Sequence, residues 1–274
     1  MVEVVAELGI NANGSVETAK KMIDVAYAAG IDYVKFQKRT VDLVYTKKEL
    51  DAPRESPWGT TTREQKQGLE LDWSDYDIID EYCDLKGIGW FASPWDVESL
   101  RFIASFDIPF IKIPSALLTN HKLLEACKFL DRKVILSNGM STMQELKKAV
   151  KIIGEDNIHA ILHCTSTYPT APTEMNLSHI KELKQIFPAT KIGFSNHYPG
   201  LMGMIMAAVM GAEMIEFHLT LDRSMYGSDQ AASIEPHGVF ELMNRLKLIE
   251  KMKGDGVKQV YDSEIPIMQK LRRQ

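Results

Sequence analysis

The chain has 274 residues, 45% of them hydrophobic and 25% charged, the balance of an ordinary globular protein built around one large domain. A net charge of −5 excludes a general nucleic-acid binder, because no basic surplus exists to neutralise phosphates. Cys83, Cys127 and Cys164 show no CxxC spacing, no apolar run approaches the ~20 residues of a membrane span, and no secretory leader pattern opens the chain, so a disulfide framework and a membrane partner are excluded and a cytoplasmic protein is expected.

Strand-like runs recur at 3–10, 32–37, 88–94, 110–115, 133–139, 158–165, 191–196 and 213–220. Helical patterns follow them at 15–29, 73–86, 96–105, 120–130, 141–153, 176–187, 200–210 and 236–252. This alternation predicts an α/β fold, a single-domain (β/α)₈ TIM barrel over residues 1–262, since an open doubly wound sheet usually stops at about five or six strands. Residues 39–72, rich in Thr, Arg, Glu and Pro around Trp58, interrupt the rhythm after the second strand. Two readings are open for them, a lid over the pocket and a loose excursion. The basic segment 263–274 is expected to be a linker-like tail.

Side chains alternate along a strand, so inward positions follow from each run. Strand one offers Glu7, Gly9 and Asn11, strand two Lys35 and Gln37, strand three Ser93, and strand four Lys112 with Ser115 beyond it. Strand five ends at Ser137 and Asn138, strand six at His163 and Thr165, strand seven at Ser195 and His197, and strand eight at Glu216, His218 and Thr220. A barrel interior is normally filled by Val, Ile and Leu, and a charge placed there needs a counter-charge. Lys35 and Lys112 beside a ring of serines therefore describe a receptor for an oxyanion-rich ligand such as a phosphate ester; the alternative is internal pairing with Glu7 and Glu216. His197 and His218, with Glu216 two residues before the second, have the spacing of a divalent metal site, the alternative being two satisfied strand-end histidines. Together these features point to a small phosphorylated, carboxylated substrate and a second substrate with a carbonyl, with Glu7 and Glu216 as acid/base candidates.

The motifs AELGINANGS, VKFQ, FASPWD, IKIPS, ILSNGM, LHCTSTYPT, IGFSNH and IEFHLT, in this order, resemble those of the N-acetylneuraminate (sialic acid) synthase family along essentially the whole chain. The resemblance implies condensation of phosphoenolpyruvate with an open-chain N-acetylated hexosamine, giving a 2-keto-3-deoxy sugar acid and phosphate. It implies a divalent metal, Mn²⁺ first with Mg²⁺ or Co²⁺ as substitutes, on His197 and His218, and it counts His218 with Glu7 and Glu216 among the catalytic residues. It implies phosphoenolpyruvate binding by Lys35, Ser93, Lys112, Ser115, Ser137 and Ser195, and an acceptor pocket lined by Gln37, Tyr168 and Asp229.

Three positions depart from the family pattern: Ala12 stands for a histidine, Asn196 for an aspartate and Ser166 for an asparagine. The family's C-terminal antifreeze-like (SAF) domain, which donates an arginine to the acceptor, has no counterpart after residue 262. The acceptor is therefore expected to be smaller or less acylated than N-acetylmannosamine, with Arg39, Arg54 or Arg63 standing in for that arginine and Trp58 covering a sugar face. The expected partners are small molecules together with a second copy of the chain or a SAF-type chain. Besides the aldose synthase, two readings stay open: a phosphoenolpyruvate-binding subunit inactive without its partner, and a different metal-dependent lyase or aldolase on the same barrel.

Overall fold

Eight strands run parallel in a computed structural model that describes residues 2–272. They are β1 (Glu3–Glu7), β2 (Tyr33–Lys38), β3 (Gly89–Pro94), β4 (Phe110–Ile113), β5 (Lys133–Ser137), β6 (Ile158–His163), β7 (Lys191–Asn196) and β8 (Met214–His218). Each pairs with its neighbours in sequence, and β1 pairs with β8 from Glu3↔Met214 to Glu7↔His218, which closes the (β/α)₈ barrel. The outer layer is α1 (Val16–Ala29), α2 (Trp73–Lys86), α3 (Val97–Ile103), α4 (His121–Lys128), α5 (Met143–Ile153), α6 (His179–Ile186), α7 (Met202–Val209) and α8 (Pro236–Lys253). No helix among the described residues is long and apolar enough to cross a membrane.

Local chemistry sets the ends of these elements. The Ser15 hydroxyl accepts from the Thr18 amide at 3.2 Å to start α1, and Gly30 in the left-handed region stops it. Asp72, Asp96 and Thr142 cap α2, α3 and α5 in the same way. The barrel's floor is aromatic: Tyr33, Phe91 and Phe110 meet edge to face with centroids 5.4–5.9 Å apart. Below them Glu3 pairs with His159 and Lys191. Charged side chains at the other end of the barrel thus stand on a sealed base.

Residues 39–72 are built, not loose. Short helices Val41–Val44 and Lys47–Leu50 lead to an antiparallel hairpin, Pro53–Ser56 with Gly59–Thr61, and then to helix Thr62–Leu69. Reciprocal side-chain and backbone bonds between Thr46 and Glu49, and between Thr61 and Glu64, cap two of these helices. Trp58 lies against Gly68 and edge-on to Tyr226, with centroids 5.6 Å apart, so it fastens the hairpin to the loop after β8 and lines neither cavity of the site.

After α8, residues 254–267 are exposed, and Ile265–Leu271 forms a short helix where a linker-like tail is expected. Residues 273–274 of that segment lie outside the described residues.

Candidate active site

At the C-terminal ends of the strands lies a cavity of about 170 Å³. Lys35, Gln37, Ser93, Lys112, Ser115, Ser137, Tyr168, Ser195, His197, Glu216 and His218 line it, all of them expected site residues. Glu7 sits below, fully buried, where its carboxylate accepts from Gln37 Nε2 at 2.6 Å and pairs with Lys35 at 2.9 Å. Asp229 stands to one side, 3.4 Å from His218 Nδ1, on the wall of a second cavity of about 240 Å³. The two cavities share Gln37, Trp95 and Tyr168.

The internal ion pairs that the sequence left open as an alternative are formed. Lys35 Nζ lies 3.3 Å from Glu216 and donates to Ser93 Oγ at 3.4 Å; Lys112 donates to both oxygens of Glu216 at 3.1 and 3.3 Å. Ser195 adds a bond to the same carboxylate at 3.1 Å. Burial opposes the Glu216 charge, but the two lysines outweigh it and hold the carboxyl well below its usual range. Burial pushes Lys112 down, against the pull of Glu216, while Glu216 and Glu7 carry Lys35 above its ordinary value despite its burial. Pairing does not exhaust the cavity's donors. Among the described residues Ser137 Oγ is buried without a partner, and Ser115 Oγ meets Cys164 Sγ at 3.0 Å and accepts from the Gly139 amide at 3.1 Å.

The wall leaves room for glycine alone at two places. A Cβ on Gly9, whose φ is +33°, would stand 2.0 Å from Glu7 Oε1. One on Gly139 would meet Ser166 Oγ at 2.2 Å and Ser115 Oγ at 2.7 Å.

Beside the lysines, the rings of His197 and His218 lie 5.5 Å apart. His197 Nδ1 donates to the Thr165 carbonyl at 2.6 Å, which leaves Nε2 as a lone pair that accepts from the Tyr168 hydroxyl at 2.9 Å. Burial, with His218 beside it, lowers the His197 imidazole to about 4, so it is neutral near pH 7. Neutral imidazole with its far nitrogen anchored to a carbonyl is the state a metal ligand needs. Among the described residues no group of three or more His, Cys, Asp or Glu is placed to hold a metal ion by itself. His197 and His218 are the donors this site offers a divalent ion, which would need its other ligands from water or substrate. Glu216 is engaged by the lysines, and Asp229 is the carboxylate beside His218.

Several expected inward residues are placed elsewhere: Asn138, His163 and Thr165 line a separate surface cavity, Thr220 bonds Asp222 and Gln230 beyond β8, and Asn11 is also displaced. Asn11 lies beyond the end of β1, in the turn Gly9–Ala12, and donates to the Leu219 carbonyl and Ser233 Oγ at 2.7 and 2.8 Å, tying that turn to the chain after β8. His163 pairs in register with Phe194, one residue before the inward Ser195, so it faces the outer layer, bonds the Met175 carbonyl at 2.8 Å and meets His179 edge-on. Cys164 takes the inward place. Trp95 and Met140 also line the cavity; they lie in the motifs FASPWD and ILSNGM, but strand alternation does not single them out.

A closed barrel with charged and imidazole side chains gathered at the C-terminal rim defines a (β/α)₈ enzyme. The chain belongs to the NeuB family, which it matches over residues 22–258. It is 34% identical over 271 residues to the N-acetylneuraminate-9-phosphate synthase of Homo sapiens, covering 98% of this chain and 76% of that one. The N,N'-diacetyllegionaminic acid synthase of Campylobacter jejuni is 33% identical over 270 residues, covering 95% and 80%. The crystal structure of the N-acetylneuraminic acid (sialic acid) synthetase of Leptospira borgpetersenii serovar Hardjo-bovis, in complex with citrate, matches with a TM-score of 0.85 at 30% identity, covering 100% of this chain and 93% of that one. The chain is thus a synthase of the sialic acid synthase type, a transferase of carbohydrate biosynthesis.

Proposed function

We propose that this chain condenses phosphoenolpyruvate with an open-chain aldose, giving a 2-keto-3-deoxy sugar acid and phosphate. The observation that carries this reading is the convergence of two buried lysines and the hydroxyls of Ser93, Ser115, Ser137 and Ser195 on one cavity beside two histidines. Lys35, Lys112 and the hydroxyls of Ser93, Ser115, Ser137 and Ser195 supply charge-assisted and neutral bonds for a phosphate and a carboxylate. Held by them, the C3 methylene of phosphoenolpyruvate faces the aldehyde carbon and its electron pair forms the new C–C bond. Positive charge then develops at C2. Glu216, kept ionised by the lysines, stabilises that charge and is a poor proton acceptor, which leaves Glu7 as the carboxylate for proton transfer. Water adds at C2, and collapse of the tetrahedral carbon breaks the C2–O bond and expels phosphate. His197 and His218 would hold a divalent ion, Mn²⁺ first, which when bound would supply Lewis-acid polarisation of the aldehyde.

Three buried free thiols fit a reducing, cytoplasmic setting. Exposed apolar side chains, Met202, Met206 and Val209 on α7 and Leu248 and Met252 on α8, support a homodimer or a SAF-type partner chain. The test is phosphate release from phosphoenolpyruvate with Mn²⁺ and a panel of aldoses. Release with one aldose is the expected result; release with none, by a protein that binds phosphoenolpyruvate, would remove the synthase reading.

A further inference from the structure

After β6 the chain runs through residues 164–170 with no helix or strand, yet this turn grips His197 from three sides. The Thr165 carbonyl accepts from His197 Nδ1 at 2.6 Å, the Tyr168 hydroxyl donates to Nε2 at 2.9 Å, and the Thr170 amide donates to the His197 carbonyl at 2.9 Å. Irregular surface segments are ordinarily among the more mobile parts of a fold. Here one of them must keep a carbonyl in line with an imidazole, so it needs an internal tie.

Thr170 is that tie. It is buried, 4% exposed, whereas Thr167, Tyr168 and Pro169 before it are exposed. Its hydroxyl donates to the Thr167 carbonyl at 2.8 Å and to the Thr165 carbonyl at 3.1 Å, sharing one hydrogen between them and closing the turn on itself. The Thr165 carbonyl therefore carries two donors, one for each lone pair: His197 Nδ1–H and the Thr170 hydroxyl. The Thr165 hydroxyl donates to the Glu174 carbonyl at 2.8 Å, which anchors that side chain and leaves the aim of the carbonyl to Thr170. Thr170 itself lines none of the cavities at this rim, so it has no direct hold on a substrate.

We propose that Thr170 is a positioning residue for His197: by holding the Thr165 carbonyl it keeps the imidazole proton on Nδ1 and presents Nε2 to the active-site cavity as a lone pair. The proposal rests on the reading of His197 and His218 as metal ligands and adds to it a residue that touches neither ion nor substrate. A neutral imidazole has two tautomers, and the partner of one nitrogen decides which of them is present. With the proton on Nε2, the ring could not ligate through that atom, and its Nδ1 lone pair would face the carbonyl oxygen at close range. A carbonyl free to turn away removes this penalty and lets both tautomers form. The Thr170 hydroxyl prevents that turn.

The experiment uses three variants and two readouts. Thr170→Val removes the hydroxyl and keeps the shape, Thr170→Ala removes it in a smaller side chain should the first not fold, and Thr170→Ser keeps it. In metal-free protein labelled with ¹⁵N-histidine, two-bond ¹H–¹⁵N correlations near pH 7 report the His197 tautomer, its signals identified by their loss in His197→Ala. The second readout is the Mn²⁺ Kd, from the paramagnetic resonance signal of free Mn²⁺. Wild type and Thr170→Ser should show one tautomer, protonated at Nδ1, and similar Kd values. Thr170→Val and Thr170→Ala should gain the Nε2-protonated form and raise the Kd by roughly tenfold or more, the usual effect of losing an outer partner of a metal ligand. Tautomer and Kd unchanged in variants that lack the hydroxyl, even with stability lowered, would make Thr170 structural only and overturn the proposal. So would a loss in Thr170→Ser equal to that in Thr170→Val. Wild type that takes up no Mn²⁺, or His197→Ala that holds it as tightly, would instead remove the metal reading, and the imidazole signals would still decide whether Thr170 sets the tautomer.

Discussion

Lys112 has two jobs in this site, and they respond differently to mutation. In the ligand-free chain it neutralises Glu216 from 3.1 Å; in the proposed reaction it holds a phosphate or carboxylate. Lys112→Met should raise the phosphoenolpyruvate Kd by about 1.5–3 kcal/mol, the value of a charge-assisted bond. It should also lower stability, by up to about 3–5 kcal/mol, because Glu216 keeps a single cation. Titration and urea unfolding on the same preparation separate the roles; lost stability with unchanged affinity would make the lysines structural only. For the histidines, His197→Ala and His218→Ala should each reduce bound Mn²⁺ by tenfold or more. Elemental analysis checks this, and unaltered metal content in the double variant would reject the site. The inward lysines, serines and terminal histidines were legible because strand alternation places them without tertiary knowledge. His163 was not. Its side is fixed by register against Phe194, which no single strand contains.

Asp96 shows how an element carries the site. At the N-terminus of α3 its carboxylate accepts from the Ser99 and Thr40 amides, both at 2.8 Å, and from both hydroxyls. It therefore caps a helix and also pins the start of the 39–72 insertion, immediately after Arg39. Removing a cap of this kind in Asp96→Ala should cost about 1–2 kcal/mol in urea unfolding at pH 7. Burial disfavours the ionised Asp96, but bonds from Ser99 and Thr40 outweigh it and lower its carboxyl below the ordinary value. The unfolded chain thus takes up the proton first as pH falls, so the gap between wild type and variant should be full above about pH 4 and shrink below it. A gap constant down to pH 2 would contradict this. Barrel strands and helices were readable from their periodicity and caps. The hairpin Pro53–Ser56 with Gly59–Thr61 was not: its strands are very short, polar and opened by a proline, and its anchor, Trp58 on Tyr226, joins residues far apart in sequence.

At the scale of the molecule, the aromatic floor closes one end of the barrel, and the insertion and the loop after β8 meet over the other through Trp58 and Tyr226. Substrates must enter from the C-terminal side; in the proposed reaction phosphoenolpyruvate would lie against the buried lysines and the acceptor outside it, the order condensation requires. Eight strand–helix repeats made this architecture readable. The shape of the outer cavity was not, since Arg39, Lys66 and Asp229 meet only in the folded chain. The central claim is that C3 attacks the aldehyde and C2 loses phosphate by carbon–oxygen cleavage. Phosphoenolpyruvate labelled with ¹⁸O in its C–O–P bridge, turned over with Mn²⁺ and the accepted aldose, tests it most directly. The account predicts that the label leaves entirely in inorganic phosphate; label retained in the sugar acid would show phosphorus–oxygen cleavage and contradict it.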